Sequence, residues 1–198
     1  MSPRELKESP SQTAGPYVHI GCTPNWVDIA GVWDVDLGHV MVTPETEGER
    51  ILVTGLVTDG AGVPVKDAVI EIWQADANGR HNADPRFSGW GRQPTGGETG
   101  EFRFETIKPG RVAAADGRLM APHLTVWIVA RGINTGLHTR MYFGDEAEAN
   151  AADPVLARVL DPKRRQTLIA PRSDETGTAV YRFDIRLQGE GETVFFDM

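Results

Sequence analysis

A histidine at the start of a β-branched, apolar stretch is the residue in this sequence best placed for metal chemistry. The composition of residues 122–132 predicts a buried strand that begins after a proline and ends at a glycine. Because side chains alternate across a strand, His123 and Thr125 share one face, while Leu124 and Val126 share the other. A metal site built on a His-x-His strand pair needs a second imidazole two residues on. The threonine at that position leaves the pair incomplete.

The composition limits the class of protein. The chain has 198 residues, and we expect one domain over residues 1–198, with residues 1–20 as an N-terminal interface arm. A net charge of -8 argues against nucleic acid or an anionic membrane as a partner. Cys22 is the only cysteine, which excludes an intrachain disulfide and a cysteine metal cluster. With no apolar run near the ~20 residues of a membrane span, the sequence predicts a cytoplasmic protein.

Short alternating segments between turn residues indicate an all-β fold. The clearest is Glu101–Ile107, where Phe102, Phe104 and Thr106 share one face and charged residues occupy the other. Further segments of this kind are 51–59, Val69–Trp73, Leu137–Phe143, 167–170 and 180–187. Together with 22 glycines and 13 prolines, these strands predict an antiparallel β-sandwich with long loops.

One short helix is predicted near residue 155. Asp153 is expected to be its N-cap, Pro154 its first residue, and Pro162 its stop. In contrast, residues 21–48 show little periodicity, although Trp26 and Trp33 lie among glycines, aspartates and prolines. A loop of this length is uncommon unless it is functional, so we expect another chain to cover part of its apolar surface.

Several short blocks of distinctive sequence follow one another along the chain. They read Gln-Thr-Ala-Gly-Pro-Tyr at 12–17, Ile-Trp-Gln-Ala-Asp-Ala-Asn-Gly-Arg at 72–80, Gly-Trp-Gly-Arg at 89–92, Thr-Ile-Lys-Pro-Gly at 106–110, Ala-Pro-His at 121–123, and the C-terminal run 181–198. In this order they resemble the intradiol ring-cleavage dioxygenases, from about residue 9 to the C-terminus. The two terminal blocks resemble the α chains of those members that pair an α chain with a catalytic β chain.

The resemblance implies where iron ligands would lie. Catalytic chains of the family hold a non-haem Fe(III) with two tyrosinates and two histidines, since anionic phenolates suit a hard ferric ion. At the tyrosine positions this sequence has His81 and Val112, and at the histidine positions it has His123 and Thr125. Met120 stands where catalytic chains have an arginine. We call 81, 112, 123 and 125 the vestigial positions, and the resemblance implies no metal in this chain.

The resemblance also implies a contribution to a partner's pocket. In the family, the small-residue turn near the α-chain N-terminus lines the catechol pocket, which corresponds here to Thr13, Gly15, Pro16 and Tyr17. Arg131 is a candidate for orienting a substrate carboxylate, since its planar guanidinium suits a carboxylate; a structural ion pair is the alternative. It lies eight residues from His123, or roughly 26 Å along an extended strand. It is therefore expected to serve a neighbouring chain's site.

The function implied by the resemblance is that of a non-catalytic subunit. An iron-bearing β chain would supply the Fe(III), and the assembled enzyme would cleave protocatechuate with O₂. Two alternatives stay open from the residues alone. The chain could be an independent metal enzyme using His81 and His123 with Asp76 or Asp84, or a β-sandwich binding module without enzymatic activity. Equally, His123 could be a buried histidine with satisfied hydrogen bonds, and His81 a loop histidine.

Overall fold

The computed structural model describes residues 13–174 and 177–197, and the strands within these ranges form two five-stranded sheets. The strands are β1 (Arg50–Thr58), β2 (Val69–Trp73), β3 (Trp90–Pro94), β4 (Glu101–Ile107), β5 (His123–Val129), β6 (Leu137–Phe143), β7 (Ile169–Ala170), β8 (Arg172–Ser173), β9 (Ala179–Arg182) and β10 (Ile185–Arg186). The α-helices are α1 (Val18–Cys22), α2 (Ala147–Ala151) and α3 (Pro162–Gln166), and single 3₁₀ turns lie at Asn25–Val27 and Leu156–Arg158.

The first sheet is built around β1. This strand pairs with β4 in antiparallel orientation and with β9 and β10 in parallel orientation, and β8 extends the sheet beyond β9. Alternate residues of β1, including Ile51 and Val53, are buried. Gly55 interrupts this apolar series because a Cβ there would lie 1.9 Å from the carbonyl oxygen of Phe183. Only glycine permits so close an approach of the backbone.

The second sheet has β5 at its centre, in the order β3-β2-β5-β6-β7. The strand β5 pairs in antiparallel fashion with β2 and with β6. Its side chains alternate as predicted, with Leu124, Val126 and Ile128 buried and with His123 and Thr125 half-buried on the other face. His123 and Thr125, the residues of this strand considered as metal ligands, therefore lie on the outer face of the sheet, away from the main core.

Apolar side chains from both sheets form the main core. Where the sheets meet, the ring of Phe143 in β6 packs edge-on against Tyr181 in β9, with centroids 4.8 Å apart. A second apolar cluster lies next to the start of β5 and contains Ala121, Tyr142, Leu156, Leu168 and Val194. This cluster anchors the loops around His123 to the rest of the domain.

The predicted β fold is confirmed, and three strand pairs add a parallel component. The pairs β1–β9, β1–β10 and β6–β7 are parallel, whereas the remaining pairs are antiparallel. The predicted strands Val69–Trp73, Glu101–Ile107 and Leu137–Phe143 have the predicted bounds. The single strand expected over 180–187 divides into β9 and β10, and Tyr181 and Ile185 still point inward.

The helix content differs from the single helix predicted. Asp153 does accept hydrogen bonds at its Oδ1 from Val155 N at 2.8 Å and Leu156 N at 2.7 Å, as an N-cap would. Only a 3₁₀ turn follows, however, and Pro162 begins α3 instead of ending a helix. Asp161 supplies the cap for α3, so the proline stands at a first-turn position where a missing N–H has no cost.

The long N-terminal segment, part of which we expect a partner chain to cover, exposes many apolar side chains. Large apolar residues between 17 and 40 that are exposed comprise Tyr17, Trp26, Ile29, Val32, Trp33, Val35, Leu37 and Val40. Of the predicted arm, residues 1–12 lie outside the described residues, and residues 18–22 form α1. Within the described part of the chain, no helix has the length and apolar character needed to cross a membrane.

Candidate functional site

His123 is held as a neutral imidazole at the start of β5. Its Nδ1 lies 2.8 Å from the carbonyl oxygen of Ala121, and its ring lies 5.8 Å from that of Tyr142 on the neighbouring strand. Burial lowers the pKa of His123 to about 4, and the nearby Arg140 guanidinium adds to this effect. A contact of Nδ1–H with a carbonyl leaves Nε2 as the nitrogen with a free lone pair.

Thr125 faces a cation across the strand pair. In the register of β5 and β6, Thr125 lies directly opposite Arg140, just as His123 lies opposite Tyr142. The Nη1 atom of Arg140 lies 3.4 Å from the sulfur of Met120, the residue at the position of the family's arginine. The place where a second histidine would project is thus next to a permanently charged guanidinium.

His81 and Val112, which the resemblance assigns to the tyrosine positions, lie at the same end of the domain. His81 is exposed and follows the turn that ends at Arg80, and it lies close enough to His123 to affect its pKa. The carbonyl oxygen of Val112 accepts a hydrogen bond of 2.8 Å from the backbone N–H of Met120. The structure therefore brings the four vestigial positions to one place.

These side chains do not fit a ferric ion. The four positions supply one half-buried imidazole, one exposed imidazole, a hydroxyl and an apolar side chain, with no phenolate among them. Asp76 and Asp84 are already engaged, because Asp76 accepts from Arg80 and Asp84 from Arg86. Across residues 13–174 and 177–197, no three His, Cys, Asp or Glu residues are grouped as metal ligands.

A buried carboxylate supports this end of the domain. Asp153 is fully buried, and its Oδ2 accepts the backbone N–H of Ala121 at 2.8 Å. Its Oδ1 accepts from the Tyr142 hydroxyl at 3.2 Å and from the 3₁₀ turn at Leu156. These bonds fix the residues that precede and face His123. The helix-cap pattern identified Asp153 in the sequence, but its bonds to distant residues had no local signal.

The predicted pocket residues lie at the other end of β5. Thr13 Oγ1 accepts a hydrogen bond of 2.9 Å from the backbone N–H of Gly132, so the start of the described chain contacts the turn beside Arg131. Gly15 has a φ of 71°, which favours glycine. Pro16 is exposed, and Tyr17 is 75% exposed. The structure thus places Thr13 next to Arg131 and both apart from His123.

Arg131 forms an ion pair, the alternative considered for it, and its partner Asp67 is a residue that the sequence did not identify. Its Nη2 lies 2.8 Å from Oδ2 of Asp67, and the side chains are 63% and 17% exposed, respectively. A pair this exposed contributes about 0–1 kcal/mol to stability. The guanidinium therefore keeps much of its donor surface open to solvent while Asp67 limits its orientation. No local sequence pattern marked Arg140 as a site residue, because its position beside Thr125 follows only from the register of β5 and β6.

Comparisons with known proteins agree with the geometry. A family model described as Dioxygenase matches residues 23–189. The chain is 50% identical to the protocatechuate 3,4-dioxygenase alpha chain of Pseudomonas putida, covering 97% of each chain. It is 44% identical to the alpha chain of that name from Burkholderia cepacia, over 98% of each. It is also 37% identical to the Burkholderia cepacia beta chain, over 75% of this chain and 68% of the other.

Solved structures support the same fold. The dioxygenase domain of a carbohydrate-binding fusion from Streptomyces sp. SirexAA-E superposes with a TM-score of 0.58 at 27% identity, covering 77% of this chain and 86% of the other. The 3-chlorocatechol 1,2-dioxygenase of Rhodococcus opacus gives a TM-score of 0.59 at 21% identity, covering 80% and 67%, and shows the fold alone. The chain belongs to the intradiol ring-cleavage dioxygenase family, in the group of protocatechuate 3,4-dioxygenase α chains.

Proposed function

We propose that this chain is the non-catalytic subunit of a hetero-oligomeric enzyme in the cytoplasm, and that it binds a β chain and helps to line that chain's active site. The assembled enzyme would cleave protocatechuate between its two hydroxyl-bearing carbons, and both atoms of O₂ would enter the product, 3-carboxy-cis,cis-muconate. The observation that carries the proposal is that only His123, of the four vestigial positions, keeps the ligand type of a catalytic chain.

The exposed apolar segment supports a partner of large contact area. Between residues 17 and 40, eight large apolar side chains are exposed, and four of them are more than half exposed: Tyr17, Val32, Val35 and Val40. A monomeric protein seldom leaves such a patch in water, whereas an obligate interface is rich in apolar and aromatic residues. The relatives named as alpha and beta chains indicate that the partner is a β chain.

The residues near the N-terminus are suited to forming a pocket wall. Among the described residues, none lies within 4 Å of the Cβ position of Gly15, and the exposed Pro16 offers a flat, rigid surface. The hydrogen bond from Gly132 to Thr13 holds this segment beside Arg131. Thr13, Gly15, Pro16, Tyr17 and Arg131 would then face the partner's site together, as a wall and an anion-binding group.

The two chains would contribute different groups to the active site. Iron in the partner's site would supply the activation of the catechol and of O₂. The residues of this chain would position the substrate and exclude water, with the Arg131 guanidinium donating two hydrogen bonds to the ring carboxylate. Because Asp67 holds Arg131 from one side, the remaining N–H groups stay available to the substrate.

Co-expression with the β chain tests the proposal. We expect the two chains to co-purify, with one iron for each pair of chains and with ring cleavage by the complex. The chain expressed alone should carry no stoichiometric iron and show no cleavage. Iron with turnover in the isolated chain would refute the proposal and favour the independent enzyme built on His81 and His123. Within the described residues, that alternative finds no carboxylate grouped with the two histidines as a third ligand.

Replacement of Arg131 by alanine tests the pocket contribution. Loss of a charged hydrogen-bonding group costs about 1.5–3 kcal/mol, so KM for protocatechuate in the assembled enzyme should rise about 10-fold or more. The turnover number should change little, because the ring carbons and O₂ react at the partner's iron and not at the carboxylate that Arg131 would bind. Arg182→Ala is the matched control, since this arginine also forms exposed ion pairs but lies in the first sheet. An unchanged KM in Arg131→Ala would remove this residue from the site.

A further inference from the structure

The side chain of Arg140 lies beside the vestigial positions, opposite Thr125 and in contact with Met120. We propose that its guanidinium is an internal cation that takes the place of a metal ion and prevents metal ions from binding at the vestigial positions. This chain would then differ from a catalytic chain in two ways. It lacks ligands at positions 81, 112 and 125, and it has a fixed positive charge beside them. The inference goes beyond the subunit's role and is independent of its binding to a β chain.

The register of the second sheet determines where Arg140 projects. Residues directly opposite each other on an antiparallel pair project from the same face, with Cβ atoms roughly 4.5–5.5 Å apart. Arg140 is opposite Thr125, and the next pair on this face is His123 with Tyr142. Arg140 therefore projects from the outer face of the sheet, the same face as His123 and Thr125.

Two contacts show that the guanidinium points towards the vestigial positions. Its Nη1 atom meets the sulfur of Met120 at 3.4 Å, and Met120 is hydrogen-bonded through its backbone to Val112. Arg140 also interacts with the hydroxyl group of Tyr142, which faces His123. Arg140 thus lies opposite Thr125, close enough to His123 to affect its pKa, and contacts the residue that is hydrogen-bonded to Val112.

The chemistry of a guanidinium makes this arrangement exclusive. Arginine stays protonated at all accessible pH values, and a thioether is a weak acceptor that does little to neutralise it. A divalent or trivalent ion bound by His123 would therefore meet the fixed like charge of Arg140, which is near enough to His123 to lower its pKa. The side chain of Arg140 is half-buried, so water screens this repulsion in part. The repulsion energy is nevertheless larger than between the same two charges in bulk water, because the site is partly dehydrated.

A rebuilt histidine pair tests the proposal directly. Thr125→His creates a His-x-His pair with His123, and we compare it with the double variant Thr125→His/Arg140→Gln. Each is measured in the assembled protein by calorimetric titration with Ni²⁺, which favours imidazole ligands. The unmodified complex gives the background, including any Ni²⁺ taken up by the partner. We expect the double variant to bind one additional Ni²⁺ per chain, and Thr125→His to bind it at least about 100-fold more weakly.

The control variant separates charge from shape. Thr125→His/Arg140→Lys keeps the positive charge on a shorter side chain and should bind Ni²⁺ as weakly as Thr125→His alone. Equal affinity in Thr125→His with and without the Arg140→Gln replacement would overturn the proposal, and so would a lack of additional binding in both. A change in assembly with the β chain would instead concern the proposed function, and it is read separately from the elution volume.

An experimental density map of the unmodified complex gives a test that needs no variant to fold. We expect the Arg140 guanidinium next to Met120 and between His123 and Thr125. A guanidinium turned into solvent, or a metal ion bound to His123 in the presence of Arg140, would overturn the proposal.

Discussion

The half-buried His123 should make the stability of this chain depend on pH. His123 has a pKa lowered to about 4 from an ordinary value of 6.5, because it is buried and close to Arg140. On unfolding, the imidazole returns to water and to its ordinary pKa. Between pH 6.5 and 4, the unfolded chain therefore binds a proton at this residue that the folded chain does not bind.

The sign and size of the effect follow from proton linkage. Because the unfolded state binds more protons in this window, the contribution of His123 to the free energy of unfolding rises with pH from 4 to 6.5 and is constant outside it. The two pKa values differ by roughly 2.5, and each pKa unit corresponds to 1.36 kcal/mol. Acidification from pH 7 to 4 should therefore remove about 3 kcal/mol through His123 alone, a large part of a typical domain's 5–15 kcal/mol.

The variant His123→Asn isolates this contribution. The asparagine amide can still donate to the carbonyl of Ala121 but cannot be protonated in this range. Urea unfolding of both proteins at half-unit steps from pH 7 to 4 gives the difference in their free energies of unfolding. Acid should destabilise the unmodified protein by about 3 kcal/mol more than the variant. The exposed His39, replaced by Asn in the same way, serves as the control.

Two outcomes would contradict this account of His123. A difference between the unmodified protein and the His123→Asn variant that stays constant from pH 7 to 4 would mean that the histidine is not held neutral by the fold. A nitrogen-15 titration that follows the imidazole directly and finds a midpoint near the ordinary value would have the same meaning. Carboxylates also affect acid stability, but they are common to both proteins and cancel in the difference.

Two further predictions concern the supports of the fold. Asp153→Ala should lower the free energy of unfolding by about 3 kcal/mol or more, because it leaves three backbone N–H groups and a phenol hydroxyl without their acceptor; Asp161→Ala, which removes an exposed cap, should cost about 1 kcal/mol. Gly55→Ala should cost about 2 kcal/mol or more, because its Cβ would meet the backbone of Phe183, whereas the Cβ of Gly97→Ala would meet no atom of residues 13–174 and 177–197 within 4 Å. Urea unfolding measures both pairs, and equal costs within a pair would refute the reasoning.

Strands with alternating residues were predictable because their pattern is local. Glu101–Ile107 and the start of β5 show it in a single window of sequence, and each was predicted on the correct face. The strand Trp90–Pro94 was not predicted, since its Gly91 and Pro94 have low strand propensity. It forms because β2 offers an edge to pair with, and because Trp90 and Arg92 both bond to Glu71 of that strand.

The candidate site was predictable only in part, for a related reason. The resemblance identified His81, Val112, His123 and Thr125 by their order along the chain, and the structure places them at one end of the domain. Arg140 could not be identified from the order of residues along the chain, because its proximity to Thr125 depends on the strand register. Register is set by pairing across the sheet, and a shift of one residue would turn the arginine to the opposite face.

The alternation of β5 explains how residues on its outer face can be substituted while the fold persists. Leu124, Val126 and Ile128 fill the core and are fully or almost fully buried, so their replacement by alanine would create cavities that cost about 2–5 kcal/mol each. His123 and Thr125 lie on the other face and take no part in the main core. Substitution there changes the chemistry of the outer face and leaves the packing between the sheets intact. The same separation predicts that Thr125→His, the first step in restoring a metal site, will be tolerated by the fold.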